Sequence, residues 1–388
     1  MFVDTLFKLM AEKQASDMFF TAGAPIQIKI NGVVMPVNAQ VLDPAAVKAI
    51  VYELMSEQQI KDFEQKLEMN LGVGRPNLGS FRVNVFRQRG AVAMVIRFIK
   101  PDIPSIEELR LPPILKSLVM EKLGMILIVG STGSGKSTSM AAMIDYRNST
   151  RTGHILTIED PMEFSYKHKK SIVNQREIGM DTGSYENALI SAMREAPDLL
   201  MIGEIRDRPT LQSALLFAQA GHLCLSTLHA NNSYHAMNRI INFFPREARE
   251  SLLADLSFSL KCVMSQRLVR SKTGGRVPAV EVLLNTGNIT ELIKKGEIGG
   301  IKDAMEQSMA PGSQTFEQAL YALYASGEIS LEDALANADS STNLRWLINS
   351  GGASAGQAPE SGAAQTDTGT APGPADDLSS IKINLDMV

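Results

Sequence analysis

Apolar residues change their spacing several times along the chain, and each spacing predicts an element. Between Asp4 and Lys13 they fall at Leu6, Leu9 and Met10, the rhythm of a short amphipathic helix. In IQIKINGVVMPV two alternating runs flank Asn31-Gly32, a dipeptide suited to a tight hairpin turn. From Asp43 to about Glu68 the spacing is helical again, and the capping-box pattern Ser56-x-x-Gln59 splits it into two helices. SFRVNVFRQ and AVAMVIRFI then read as strands on either side of Arg89-Gly90. Residues 1–100 therefore predict a small α+β domain.

The four prolines of KPDIPSIEELRLPP mark residues 101–113 as an interdomain linker. Beyond it the apolar runs become continuous. MILIVG, HILTIED, DLLMIGE and HLCLSTL have the character of strands buried on both faces of a parallel sheet, and helical segments separate them. Residues 114–285 thus predict an α/β core with right-handed crossovers. Residues 246–268 and 289–348 read as mostly helical, so 286–350 is expected to form a C-terminal helical region. From 351 to 388 the chain is rich in Gly, Ala, Ser, Thr and Pro, lacks aromatics, and reads as disordered. Its last residues, IKINLDMV, alternate again; an inert end is the plainer reading and a docking peptide the alternative.

Composition narrows the class. A chain of 388 residues, 44% hydrophobic, suits two or three soluble domains. With 38 basic and 42 acidic residues, the net charge of −4 gives no general attraction to nucleic acid or anionic lipid. Cys224 and Cys262 form no CxxC pair, which excludes a disulfide framework and a cysteine zinc site. No apolar run is long enough to span a membrane, and MFVDTLFKLMAEK lacks the basic start of a signal peptide. A cytoplasmic location is expected.

The chemistry begins at Gly130. Gly130, Ser131, Thr132, Gly133, Ser134, Gly135, Lys136 and Ser137 match GxxxxGK[ST], Thr138 follows, a strand runs in and a helix runs out. Such a loop turns backbone N–H groups and a helix N-terminus toward phosphate oxygens, while Lys136 reaches the β- and γ-phosphates and the Ser137 hydroxyl ligates Mg²⁺. No guanine-recognition pattern accompanies it, so ATP is the expected nucleotide. Hydrolysis further requires a carboxylate to orient water. Glu204 closes the strand DLLMIG, where carboxyl-end loops meet a ligand, although a strand-end pair with Arg206 would look the same in sequence. Glu159, Asp160 and Glu163 close HILTIED in the same way and can touch Mg²⁺ directly or through water. His222 precedes the buried run LCLSTL and His229 follows it; no third ligand at suitable spacing makes them a metal pair. His154, His168 and His235 read as structural or surface residues.

These motifs stand in an order that resembles a known family. With the P-loop at 130–138, IEDPMEF (158–164) is similar to the Asp box of secretion ATPases, MREAPDLLMIGEIRD (193–207) to their Walker B, and GHLCLSTLHANN (221–232) to their His box. SDMFFTAG and FRVNVF resemble the family's first domain. The chain is most similar to the type IV pilus retraction ATPases, the PilT/PilU (twitching motility) group, on the PilU side. Where PilT-type chains carry an AIRNLIRE-like stretch, this one reads NITELIKKGE. The tetracysteine zinc motif of extension and type II secretion ATPases is missing, which disfavours that branch. The resemblance implies a PAS-like first domain and a RecA-like ATPase core. It implies ATP and Mg²⁺ as cofactors, with Ser137 and Glu163 toward the metal. It also implies Glu204 as the catalytic glutamate, His222 and His229 as γ-phosphate sensors or site organisers, and Arg82 and Arg97 presented to a nucleotide as the domains close. The implied assembly is a homohexamer at the cytoplasmic face of the inner membrane. There it would act on a pilus platform protein, with a paralogous retraction ATPase as a further expected partner.

Overall fold

The computed structural model describes residues 2–30, 32–75, 78–99, 102–308 and 310–351. Asn31 of the predicted hairpin turn, the start of the proline-rich stretch and the region from 352 lie outside them. The described chain divides into two compact units, 2–99 and 102–351.

The first unit follows its apolar spacing closely. Helix α1 (Phe2–Glu12) buries Val3, Leu6, Phe7 and Met10 along one face. Strands β1 (Asp17–Phe20), β2 (Pro25–Ile30) and β3 (Val33–Val41) precede helices α2 (Pro44–Glu53) and α3 (Glu57–Lys66). The predicted capping box is present at the start of α3, with Ser56 and Gln59 each bonding the other's backbone N–H. Strands β4 (Glu68–Arg75), β5 (Gly79–Gln88) and β6 (Ala91–Ile99) complete an antiparallel sheet in the order β3-β2-β1-β6-β5-β4. β1 and β4 have no counterpart among the predicted elements: β1 has only four residues, and β4, though Met69, Leu71 and Val73 alternate, is an edge strand interrupted by Gly72 and Gly74. The core centres on Phe81, whose ring stacks on Phe7 at 4.1 Å between centroids and on Phe98 at 5.1 Å.

The second unit is a three-layer α/β/α structure. After α4 (Ile114–Val119) come β7 (Gly124–Val129), α5 (Lys136–Thr150), β8 (Gly153–Glu159), β9 (Ser171–Glu177), α6 (Tyr185–Ala192), β10 (Leu199–Ile202), α7 (Arg208–Gln219), β11 (Leu223–Leu228), α8 (Ser233–Asn242) and α9 (Arg249–Ser259). Strands β12 (Leu260–Arg270) and β13 (Arg276–Leu284) follow, then α10 (Gly287–Lys295), α11 (Ile301–Glu306), α12 (Phe316–Ala325), α13 (Leu331–Asn337) and α14 (Ser341–Asn349). The sheet order is β13-β12-β7-β11-β10-β8-β9, and every pairing is parallel except β12 with β13. Successive residues of β7 serve opposite layers. Met125, Leu127 and Val129 join the core beneath α6 and α7, whereas Ile126 and Ile128 join the one beneath α5. A strand covered on both faces has no polar alternation, which is why these runs were legible as continuous apolar stretches.

One expectation is corrected. Residues 260–268 are not helical: α9 ends at Ser259, and β12 enters the sheet beside β7, where its polar residues are held by partners distant in sequence. Within the described part of the proline-rich stretch, Ile106 and Leu111 are buried in the core beneath α5. The C-terminal helices α12–α14 close over Val269, Val277 and Ala279 through Phe316, Leu320, Ala334 and Leu344. Cys224 on β11 and Cys262 on β12 are fully buried free thiols, and burial pushes that of Cys224 up to about 12. Among the described residues, no helix is long and apolar enough to cross a membrane.

Phe81→Ala removes the middle ring of the stack and should lower the stability of the first unit by about 3–5 kcal/mol. Val34→Ala, on the exposed edge strand β3, should change it by less than about 0.5 kcal/mol. Denaturant midpoints of the two variants check this.

Candidate active site

The carboxyl ends of β7, β8, β10 and β11 converge on one cavity of about 470 Å³, whose lining includes Lys136, Ser137, Glu159, Glu163, Glu204 and His229. The phosphate loop forms one wall, and two of its glycines, Gly130 and Gly135, are steric necessities. A Cβ on Gly130 would lie 2.4 Å from Ser134 Oγ and 2.6 Å from the Gln266 carbonyl oxygen. Gly135 has φ +91°, and a Cβ there would meet Gln266 Nε2 at 2.7 Å. Gln266 is itself fixed, because its Oε1 accepts from the Ser139 hydroxyl at 2.6 Å. This β12 residue, which sequence reasoning did not single out, is the backing of the loop.

Lys136 is only 8% exposed. Its ammonium donates to the carbonyls of Gly130 and Ser131, each at 2.9 Å. Burial pulls its pKa down, while the carboxylates of Glu204 and Glu163 oppose that shift. Ser134 Oγ is buried without a hydrogen-bond partner, and the loop runs into the N-terminus of the 15-residue α5. An orphaned hydroxyl, a helix N-terminus and an ammonium resting on carbonyls together fit a polyphosphate. No group of three or more His, Cys, Asp or Glu among the described residues can hold a metal ion unaided. Ser137 and Glu163 line the same cavity, and their oxygen donors fit a Mg²⁺ held jointly with a bound polyphosphate.

Glu204 stands across the cavity. It follows Gly203, where a Cβ would come within 3.0 Å of the Tyr185 hydroxyl and 3.3 Å of the Ile158 carbonyl oxygen. Its Oε1 lies 3.1 Å from Arg206 Nε and 3.7 Å from His229 Nε2. Arg206 also reaches Asp160, at 3.4 Å. The pairing with Arg206 and the position in the cavity thus coexist. Burial, and then the Lys136 ammonium, lower the His229 pKa and favour the neutral imidazole.

The segment after β8 carries Glu163 and has no regular structure of its own, so side chains of the edge strand β9 hold it. Gln175 Nε2 donates to Glu159 Oε1 at 3.2 Å and to the Phe164 carbonyl at 2.9 Å, and its Oε1 accepts from the Tyr166 N–H at 2.9 Å. Glu177 Oε2 accepts from the Met162 N–H at 3.1 Å. Glu159 is buried, and desolvation raises its carboxyl to about 7, against hydrogen bonds from Thr157, Gln175 and the Glu163 backbone. Gln175 and Glu177 left no signal in the sequence, since their role exists only through contacts across the sheet edge.

Three predicted residues lie elsewhere. His222 precedes β11 and packs on Phe217, at the opposite end of the strand from His229 and about 20 Å from it. Seven residues of extended chain set that distance, so one subunit's cavity does not receive both histidines. Arg82 and Arg97 belong to the first unit, directly opposite each other across β5 and β6. Arg97 Nε donates to the buried Asp17 at 2.9 Å. Of the histidines read as structural, His154 Nδ1 contacts the Glu195 carbonyl at 2.9 Å, and His168 Nδ1 accepts from the Val173 N–H at 3.1 Å.

Residues 1–294, from the first unit through α10, match the family described as Type II/IV secretion system protein. The chain belongs to that family. Within the secretion ATPases it falls in the PilT/PilU group, on the PilU side. It is 50% identical over 349 residues to the type IV pilus ATPase PilU of Pseudomonas aeruginosa, covering 90% of this chain and 91% of that one. To the type IV pilus retraction ATPase PilT of the same organism it is 39% identical over 332 residues, covering 86% and 96%. The crystal structure of the pilus retraction motor PilT with bound ADP superposes with a TM-score of 0.82 at 40% identity, over 88% of this chain and 98% of that one. The secretion-ATPase fold expected from the ordered motifs is the fold observed.

Gly135→Ala should weaken nucleotide binding at least tenfold, because the added Cβ and the left-handed backbone both displace the loop; titration with a fluorescent ATP analogue reads this. The raised pKa of Glu159 carries a stability signature of definite sign. The native state holds that proton more tightly than the unfolded chain, so the contribution is present below pH 4.5 and is lost as pH rises through about 7. Glu159→Gln should remove that slope, which is worth on the order of 3 kcal/mol. Denaturant unfolding of both proteins at pH 5 and pH 8 checks it.

Proposed function

We propose that this chain is an ATP-hydrolysing motor subunit that powers type IV pilus retraction. The observation that carries the reading is that Glu204, Glu163 and His229 line the same cavity as the phosphate-loop lysine. The relatives named above are pilus ATPases, which supports placing that chemistry in a pilus machine. ATP binding transfers the Lys136 ammonium from the Gly130 and Ser131 carbonyls to the β- and γ-phosphates. An adjoining cavity of about 410 Å³, beyond Thr138 and lined by Leu109, Leu268 and Val277, takes the nucleoside. Ser137, with Glu163 alongside, would hold a Mg²⁺, which would neutralise charge on the phosphate oxygens. Glu204 accepts a hydrogen bond from the attacking water and aligns it, while the neutral His229 ring faces the terminal phosphate.

Work is drawn from the two-unit construction. Arg82 and Arg97 engage the nucleotide of a neighbouring subunit when the units close, and charge-assisted hydrogen bonds stabilise the closed state until the phosphate leaves. In a homohexameric ring at the cytoplasmic face of the inner membrane, staggered closure turns the platform protein and depolymerises pilin. A second reading makes the chain an accessory subunit of a paralogous retraction ATPase. Its support is α10, which ends in the exposed Lys294 and Lys295 of NITELIKKGE, with lysine where PilT-type chains carry arginine.

Lys136→Ala should lower ATP affinity about a hundredfold. Glu204→Gln should keep affinity within about threefold and lower turnover by 10²–10³. Equal loss of binding in both variants would overturn the role given to Glu204. Native turnover no higher than that of Glu204→Gln, with binding intact, would select the accessory reading.

A further inference from the structure

Alternate residues of β12 face opposite ways. Gln266 backs the phosphate loop and Leu268 lines both cavities described above. Between them Arg267 points to the other side of the strand, as the pleat requires. Its guanidinium lies 3.9 Å from the ring centroid of Phe316 at the start of α12. It donates to the Asn337 carbonyl at the end of α13 and pairs with Asp339, in the turn between α13 and α14. The same guanidinium donates to the Asn231 carbonyl at 3.1 Å, and the second oxygen of Asp339 accepts from Asn232 Nδ2 at 2.7 Å. Asn232 also caps α8, its Oδ1 accepting from the His235 N–H at 2.8 Å. Residues 229–232 leave β11 without regular structure, carry His229 into the cavity, and are held at the His229 carbonyl by Arg239 at 3.0 Å.

We infer that Arg267 and Asp339 are positioning residues for His229, and that through them the C-terminal helices α12–α14 bias recognition of the terminal phosphate. The inference rests on reading His229 as the neighbour of that phosphate. Its physical basis is that a segment lacking a ladder of its own takes its position from its side-chain tethers. The Arg267 and Asp339 side chains are only 20% and 19% exposed, where charge-assisted hydrogen bonds are strong. Coupling of this kind is reciprocal. Whatever shifts α13 against α14 changes how the cavity distinguishes ATP from ADP, and the γ-phosphate in turn changes the stability of that helix junction.

The rival account is that the network only staples the C-terminal helices to the sheet. Asn232→Ser separates the two: serine keeps the helix cap, leaves Arg267 and Asp339 joined to α13, and deletes the Asp339 tether to the His229 segment while the Arg267 bond to the Asn231 carbonyl stays. Dissociation constants for ADP and for ATPγS are measured on the full chain, alongside the unfolding temperature. The expected result is that Asn232→Ser and Asp339→Ala each reduce the preference for ATPγS over ADP by about fivefold. In a His229→Ala background, Asn232→Ser should cause no further loss. An unchanged preference in Asn232→Ser, an equal loss for both nucleotides, or additive losses with His229→Ala would each overturn the inference. Should Asp339→Ala fail to fold, Asn232→Ser alone decides. An unsubstituted chain that bound neither nucleotide would overturn the proposed function, and this inference with it.

Discussion

A buried ammonium group governs the layout of the second unit. Lys136 is almost wholly withdrawn from water, yet it carries a charge that burial disfavours. Two loop carbonyls satisfy it, and two carboxylates in the segments that follow β8 and β10 offset the desolvation. Each of these partners needs a specific backbone path. The carbonyls of Gly130 and Ser131 point inward only because the loop winds through positions a side chain would block. The carboxylates arrive only because β8 and β10 run out at the same edge of the sheet as β7.

That common edge follows from parallel pairing. Strands running the same way bring their carboxyl ends to one edge, and the helices on both faces leave that edge open. The site is therefore a property of the sheet, while its fine positions are set by residues at the margins. Gln175 and Glu177 reach in from the edge strand β9, and Gln266 from β12 on the other side of β7. Each converts a loop with no hydrogen-bond ladder into a fixed one.

Much of this was legible in the chain, for a definable reason. The phosphate loop is contiguous, so strand, glycines, lysine and helix announce one another within a single stretch. The four central strands were legible because burial on both faces demands unbroken apolar runs. Signals failed where a residue's neighbours come from far away in sequence. In β12, Ser265 bonds Glu281, Gln266 bonds Ser139 and Arg267 pairs with Asp339, so its polar centre hid a buried strand. The two histidines at the ends of LCLSTL were equivalent in sequence, but a strand has two ends, and only His229 stands at the end facing the cavity. Gln175, with both its donor and acceptor groups committed to one loop, had no sequence signature at all.

The two cysteines bear on how the motion could be watched. Cys224 and Cys262 sit in opposite layers on the strands that flank β7, fully enclosed, with burial keeping them in the protonated thiol form. Maleimides react with thiolates that solvent can reach, and these two offer neither property. The natural chain is thus a silent background for site-specific labelling. A dye pair attached to new surface cysteines, one on each unit, would report their separation through a nucleotide cycle without disturbing a single core residue.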